Sequence, residues 1–298
     1  MSLHLRLATA AALSLALLSG VARGAPATPP ALSDNGFDAR ILDTTLPQAT
    51  RLELFSHVID LSNQGQVRAE DLAGTFYWQG AAIAGSPVAR NLDLARTLLG
   101  NAAVHGDVRA MAKLAELELS ANRLQQAMVW AQMYARYIDP RTHHRGIHAR
   151  YQGAGSSYSA DLVGRVLAAG GSVEGPVVKD VNAMVVRYDA PIQQGIDDFM
   201  AFRRSGDPRL ITRPTGSVPK EYRSLNGVAE YMVQFDPAGA PVKVWLLASY
   251  PSPKLGGVLR PMLDYARANP VDAGSGPRYL RVSIPNNSPT FRGLRPVR

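Results

Sequence analysis

The chain has 298 residues, 46% of them hydrophobic, with 26 Gly and 21 Pro spread between segments, so a collagen-like or wholly disordered chain is excluded and one large or two modest domains with real cores are expected. It has no cysteine, which excludes disulfides, thiol catalysis and the lipid attachment that some bacterial envelope proteins carry on a Cys after the signal. The formal net charge of +8 favours anionic partners by long-range attraction.

In chain order, Met1 to Arg6 forms a short basic n-region, Leu7 to Leu18 an apolar run, and Ala22-Arg23-Gly24 a small-residue site before Ala25. That is the anatomy of a secretory signal peptide over residues 1–24. The run is shorter than the roughly 20 residues of a spanning helix, so the mature chain is expected to be periplasmic, with no stable membrane span. Export removes Arg6 and Arg23, leaving a charge of about +6, and puts nucleic acid out of reach. The remaining anionic partners are lipid head groups, acidic glycans and acidic protein segments. Residues 25–47 read as a flexible leader.

Helical spacing begins at Gln48, with Leu52, Phe55 and Ile59 on one face and Gly65 as a stop. Further helices are expected over Val67 to Gln79, Asn91 to Val104, a stretch through Leu119 capped by Asp107, and Leu124 to Ile138. Asp139-Pro140 ends the last of these, because a proline disfavours a helical residue before it. Residues 48–140 are thus a helical repeat domain, and 141–204 a basic loop followed by helices packing on the repeats. The latter helices run from Tyr158 to Ala169, then on two successive faces, Val178 to Tyr188 and Ile192 to Phe202. Residues 205–217 read as a linker. Beyond it the period becomes two: a strand over Val228 to Phe235, a turn at Pro237 to Gly239, and a strand over Val242 to Leu246. A helical stretch from Leu255 to Ala268 and a strand from Tyr279 to Ile284 follow, with a basic tail at 287–298.

Two stretches carry resemblances. Ala73-Gly74-x-x-Tyr77-x-x-Gly80, then Asn91-x-x-x-Ala95-x-x-Leu98-x-x-x-Ala102-Ala103-x-x-Gly106, resembles a Sel-one-like repeat, a relative of the tetratricopeptide repeat. A partial second copy runs through Leu114 and Ala127-x-x-Trp130-x-x-x-Tyr134-Ala135. The physical logic is that Ala95, Ala102 and Ala103 let antiparallel helices approach while Leu98 and Trp130 fill the gap between hairpins. Asn91 stands where that family usually has Asp.

Residues 218–286 resemble the C-terminal domain of the TonB energy-transducer family: Pro219 and Tyr222 lead in, Gly227-Val228 open a strand, and Phe235-Asp236-x-x-Gly239-x-x-Val242-x-Val244 forms a hairpin. Asn269-Pro270-Val271 closes the helix before the final strand. Arg223 replaces the usual proline after Tyr222, and Pro261 falls inside the expected helix. The resemblances imply an α-α hairpin solenoid followed by a small β-β-α-β domain. They also imply an envelope protein partner, either an outer-membrane receptor or an extended peptide, that pairs with a sheet edge. Arg281, Val282, Ser283 and Ile284 on the last strand are the candidate partner-binding residues.

Catalytic patterns are thin. His143, His144 and His148 lie in an Arg-rich stretch without a hydrolase carboxylate at the right spacing, so metal is not expected there. Ser156, Ser157 and Ser159 lack a nucleophile-elbow pattern. The sequence therefore leads to a non-enzymatic envelope adaptor with no cofactor. The alternatives are an energy transducer with a retained N-terminal anchor and an envelope hydrolase of unrecognised type.

Overall fold

A computed structural model describes residues 39–138, 156–205, 208–274 and 276–286. The expected signal peptide, most of the leader, the three loop histidines and the basic tail lie outside them. Helices come first. They are α1 (Gln48–Asn63), α2 (Val67–Gln79), α3 (Leu92–Val104), α4 (Val108–Ser120), α5 (Leu124–Tyr137), α6 (Ser156–Ala168) and α7 (Pro176–Ser205). Each of the first five packs on its neighbours in sequence, and α6 and α7 both pack on α5.

The alanines explain that order. Ala95, Ala102, Ala103, Ala110, Ala115, Ala127 and Ala131 are all fully buried along the seams, where a methyl group is the largest side chain that close antiparallel helices admit. Gly74 lets α2 lie against Leu99 of α3. Asn91 caps α3 by accepting from the Asp93 and Leu94 amides at 3.2 and 3.1 Å, and Asp107 caps α4 in the same way. Between them Gly106 turns the chain at φ 92°, a conformation that costs a residue with a Cβ. Trp130 and Leu98 are half-buried against the apolar clusters of the helical region. A 3-10 turn at Ala39–Leu42 buries Ala39, Ile41 and Leu42 beside Phe55.

One feature of the helical region differs from the expected pattern. The faces at Val178 to Tyr188 and Ile192 to Phe202 belong to one 30-residue helix, α7, which runs through Pro191. No helix among the described residues is long and apolar enough to cross a membrane.

The second part of the chain is antiparallel. Its strands are β1 (Leu210–Thr212), β2 (Gly227–Phe235), β3 (Pro241–Tyr250), β4 (Arg267–Ala268) and β5 (Arg278–Asn286), with a short helix α8 (Lys254–Leu259) between β3 and β4. A three-stranded sheet has the order β3-β2-β5, and β1 pairs with β4. The helical stretch expected as far as Ala268 stops at Leu259. Pro261 opens a 3-10 turn at Arg260–Tyr265, where its missing N–H matters least, and the chain then straightens into β4.

The strand β2 is buried on both faces. Ala229, Tyr231, Val233 and Phe235 meet Leu255, Leu259 and Leu263 on one side, joined by Leu280, Val282 and Ile284 of β5. On the other side Val228 enters the core of the helical region, and Met232 and Tyr279 pack with Phe55, Leu72 and Phe76. The sheet and the helices are therefore one body, and the linker segment contributes β1 to it.

Candidate functional site

The sequence-derived partner site lies on β5, the outermost strand beside β2. Its side chains point inward. Arg281 reaches into the junction with the helices, Val282 and Ile284 fill the core under α8, and Ser283 is half-buried. What this strand can offer a partner is therefore its backbone. Pro285 pairs opposite Val228 and has no N–H, so its position belongs to the set whose backbone groups point away from β2. By the alternation of an antiparallel strand, Ser283 and Arg281 share that outward set, while Val282 and Ile284 point theirs at β2.

Beneath the sheet lies a site that the sequence did not announce. The Lys113 ammonium of α4 is fully buried and spends its donors on three residues of two other elements. It donates to Asp71 at 3.0 Å and to the Thr75 hydroxyl at 2.9 Å, both on α2, and pairs with Glu230 of β2 at 2.7 Å. Arg281 of β5 pairs with Asp71 at 2.6 Å and lies 3.6 Å from Asp107. Asp107 also takes Arg109 at 2.8 Å while capping α4. The Tyr250 hydroxyl donates to Glu230 at 2.7 Å. Lys113, Arg109 and Arg281 thus face Asp71, Asp107 and Glu230, three charges of each sign.

A satellite continues the network. The Tyr158 hydroxyl donates to Glu116 at 2.6 Å, and Arg165 forks onto the same carboxylate. The rings of Tyr158 and Tyr250 lie 6.0 Å apart, so the α6 side and the sheet side touch.

Burial is the largest influence on Asp107 and would raise its pKa. Arg109, then Arg281 and Lys113, outweigh it and hold the carboxyl below its usual value. Glu230 behaves likewise: burial opposes the charge, and Lys113, Arg109 and Arg281 overcome it. A carboxyl that is more acidic folded than unfolded binds fewer protons in the native state. Its stabilisation is complete above the unfolded values of 3.8 and 4.5 and is lost as pH falls through the depressed ones. The hydroxyls of Tyr158 and Tyr250 are pushed up by burial first and then by Glu116 and Glu230 respectively, so their contribution is complete below 10.0 and lost as pH rises through the native values. Thermal midpoints should therefore be flat from about pH 5 to 9 and fall at both ends. A midpoint that declines already between about pH 7 and 5 would contradict this assignment.

Chemically, a lysine among carboxylates can move protons, but Lys113, Asp71 and Glu230 are completely buried, with the ammonium paired to both acids. The arrangement joins the sheet to the helices. Among the described residues no group of His, Asp and Glu is placed to hold a metal ion, and the loop histidines lie outside those residues. One clue in the sequence pointed toward the network: Glu230 stands between Val228 and Met232 on one strand face.

Comparison with known proteins adds no relative: no family model, no curated protein and no solved structure matches this chain.

Proposed function

We propose that this is an exported, non-enzymatic adaptor of the bacterial cell envelope. In this reading Sel-one-like helical hairpins carry a TonB-like sheet whose last strand accepts an extended segment of a protein partner. The observation that carries the reading is the edge position of β5 in the described three-stranded sheet, with core-facing side chains and with the Ser283 backbone groups directed away from β2. An edge of that kind pairs with an incoming strand through main-chain hydrogen bonds and needs little side-chain specificity. Two further features support it. The strand order and the placement of α8 fit a β-β-α-β unit of the TonB type, and the consecutive helix pairs fit a hairpin repeat. The apolar run and the Ala22-Arg23-Gly24 site support export to the periplasm.

Proline substitution tests the reading. Ser283→Pro removes an outward N–H and should leave the fold and its melting midpoint nearly unchanged. The same variant should lose the envelope proteins captured by the parent chain from a detergent extract. Val282→Pro removes an N–H from the β2 ladder and should cost about 3 kcal/mol or more. Capture that is equal for the parent and Ser283→Pro would rule out β5 as the acceptor.

An energy transducer with a retained N-terminal anchor remains the second reading, resting on the same resemblance of the C-terminal region. A mature chain beginning at Ala25 belongs to the adaptor, and one beginning at Met1 in a membrane pellet to the transducer.

A further inference from the structure

Three of the charges under the sheet are placed as reactants. Lys113, Asp71 and Glu230 are completely buried, as is Thr75 beside them. The Lys113 Nζ lies 3.0 Å from each oxygen of the Asp71 carboxylate, so it faces the carboxyl carbon between them. It meets Glu230 through one oxygen, Oε2, at 2.7 Å, while the Tyr250 hydroxyl holds the other. Arg281 stands 2.6 Å from Oδ2 of Asp71. The Thr75 hydroxyl accepts from Nζ at 2.9 Å and donates to the Asp71 backbone carbonyl at 2.7 Å, which fixes the aim of the lysine.

An amine, a carboxyl carbon and a proton carrier held in contact inside a core are the parts of an amide-forming reaction. The surroundings favour the product. Buried charges are costly to keep out of water, and condensation removes one of each sign. It leaves Arg109 and Arg281 facing Asp107 and Glu230, still balanced. In bulk water hydrolysis opposes amide formation, whereas a site closed to solvent releases its water and keeps others from the bond.

We propose that Lys113 and Asp71 condense into an isopeptide bond within the folded chain, with Glu230 as the proton carrier. The ammonium gives one proton to Oε2 of Glu230, and the freed amine attacks Cγ of Asp71. Arg281 faces Oδ2, where negative charge gathers as that carbon becomes tetrahedral. The proton held by Glu230 and a second one from the nitrogen pass to Oδ1, which leaves as water. One C–N bond forms, one C–O bond breaks, and Glu230 ends as the carboxylate it began as. The bond joins α2 to α4 across 42 residues, in a chain with no cysteine to supply a disulfide. Glu230 and Arg281 come from β2 and β5, so the bond forms only once the sheet has docked. Chain that has not condensed holds these groups by the ion pair alone, and the stability lost on replacing Lys113 is then that of the pair. The outward backbone of β5 takes no part, so failure of this reaction leaves the acceptor reading untouched.

The test is mass spectrometry of the purified full chain, unfolded before injection. The parent should be lighter by one water than its sequence from the observed N-terminus. Digestion should yield a branched peptide joining Asp71 to Lys113, with no tryptic cleavage after Lys113. Lys113→Arg keeps the charge and should show neither the mass loss nor the branch. Asp71→Asn should give the same branched peptide with loss of ammonia in place of water, which an ion pair cannot do. Glu230→Gln should accumulate the bond about a hundredfold more slowly after synthesis, the effect of losing a general acid–base group. A water loss that persists in Lys113→Arg belongs to a cyclised aspartate and overturns the proposal. So does a parent that trypsin cleaves after Lys113 with no branched peptide, and so does a branch from Lys113 to Glu230 instead of Asp71. Circular dichroism checks that each variant folds. If Lys113→Arg or Glu230→Gln does not, the peptide map of the parent and of Asp71→Asn decides the outcome.

Discussion

Replacing Lys113 by Met is expected to remove about 3–5 kcal/mol of folding stability, the cost of breaking a buried ion pair from one side. Met keeps most of the volume, so packing loss is small and the electrostatic effect is what the urea midpoint reads. Asp71 retains Arg281, but Glu230 loses the ammonium at 2.7 Å and keeps only the Tyr250 hydroxyl as a direct partner among these contacts. Removing that stranded charge as well should help. Lys113→Met combined with Glu230→Gln should therefore be more stable than Lys113→Met alone, a coupling of about 1–3 kcal/mol in a double-mutant cycle. A Lys113→Met loss below about 1 kcal/mol would place the pair among weak surface contacts and contradict its burial. The network matters because it spans α2, α4, β2 and β5 and so ties the proposed acceptor strand to the helical region.

The same single methyl group should have opposite effects at two helical glycines. Gly195 of α7 crosses the turn between α3 and α4, and a Cβ there would overlap the His105 carbonyl and crowd Gly106. Both obstacles are backbone, so α7 must shift along its length. Gly195→Ala should cost about 3 kcal/mol, the upper end for overpacking a tight contact. Gly164 of α6 has open space where its Cβ would stand. Gly164→Ala should add about 0.5–1 kcal/mol by relieving the entropy cost of glycine in a helix. Thermal or urea unfolding of both variants checks the pair. Equal effects of the two substitutions would show that α7 does not approach that turn closely.

Much of the helical region was legible because its signals are local. A helix over Val67 to Gln79 was expected after the Gly65 stop, and α2 has those limits. Asp107 read as a cap and acts as one, while Asn91, read as the first helical residue, is instead the cap of α3. The misread places have local causes too. Pro191 interrupts the apolar pattern of α7, so one helix looked like two. In the C-terminal region, helical spacing continued past Pro261 although the hydrogen-bonded helix had ended at Leu259. The strand β1 is three residues long and its partner β4 two, too short for a period to register.

The charge network was illegible for a different reason. Asp71, Lys113, Glu230 and Arg281 sit on four elements, and each alone reads as one charged residue in an amphipathic segment. Only the docking of the sheet onto the helices brings them together. The same docking argues against residues 218–286 folding by themselves. Val228, Met232 and Tyr279 would then be exposed to water together with Glu230 and Arg281. On the candidate strand itself, position was readable from sequence order, but the inward course of the Arg281, Val282 and Ile284 side chains was not.

Hydrogen exchange on the intact chain, with and without a protein captured from the envelope, tests the acceptor role most directly. Adding the partner should slow exchange at the Ser283 amide, whose N–H faces away from β2, and leave Val282 and Ile284 nearly as slow as before. Protection confined to the helices, with Ser283 unchanged, would contradict the account and place the partner on the helical surface.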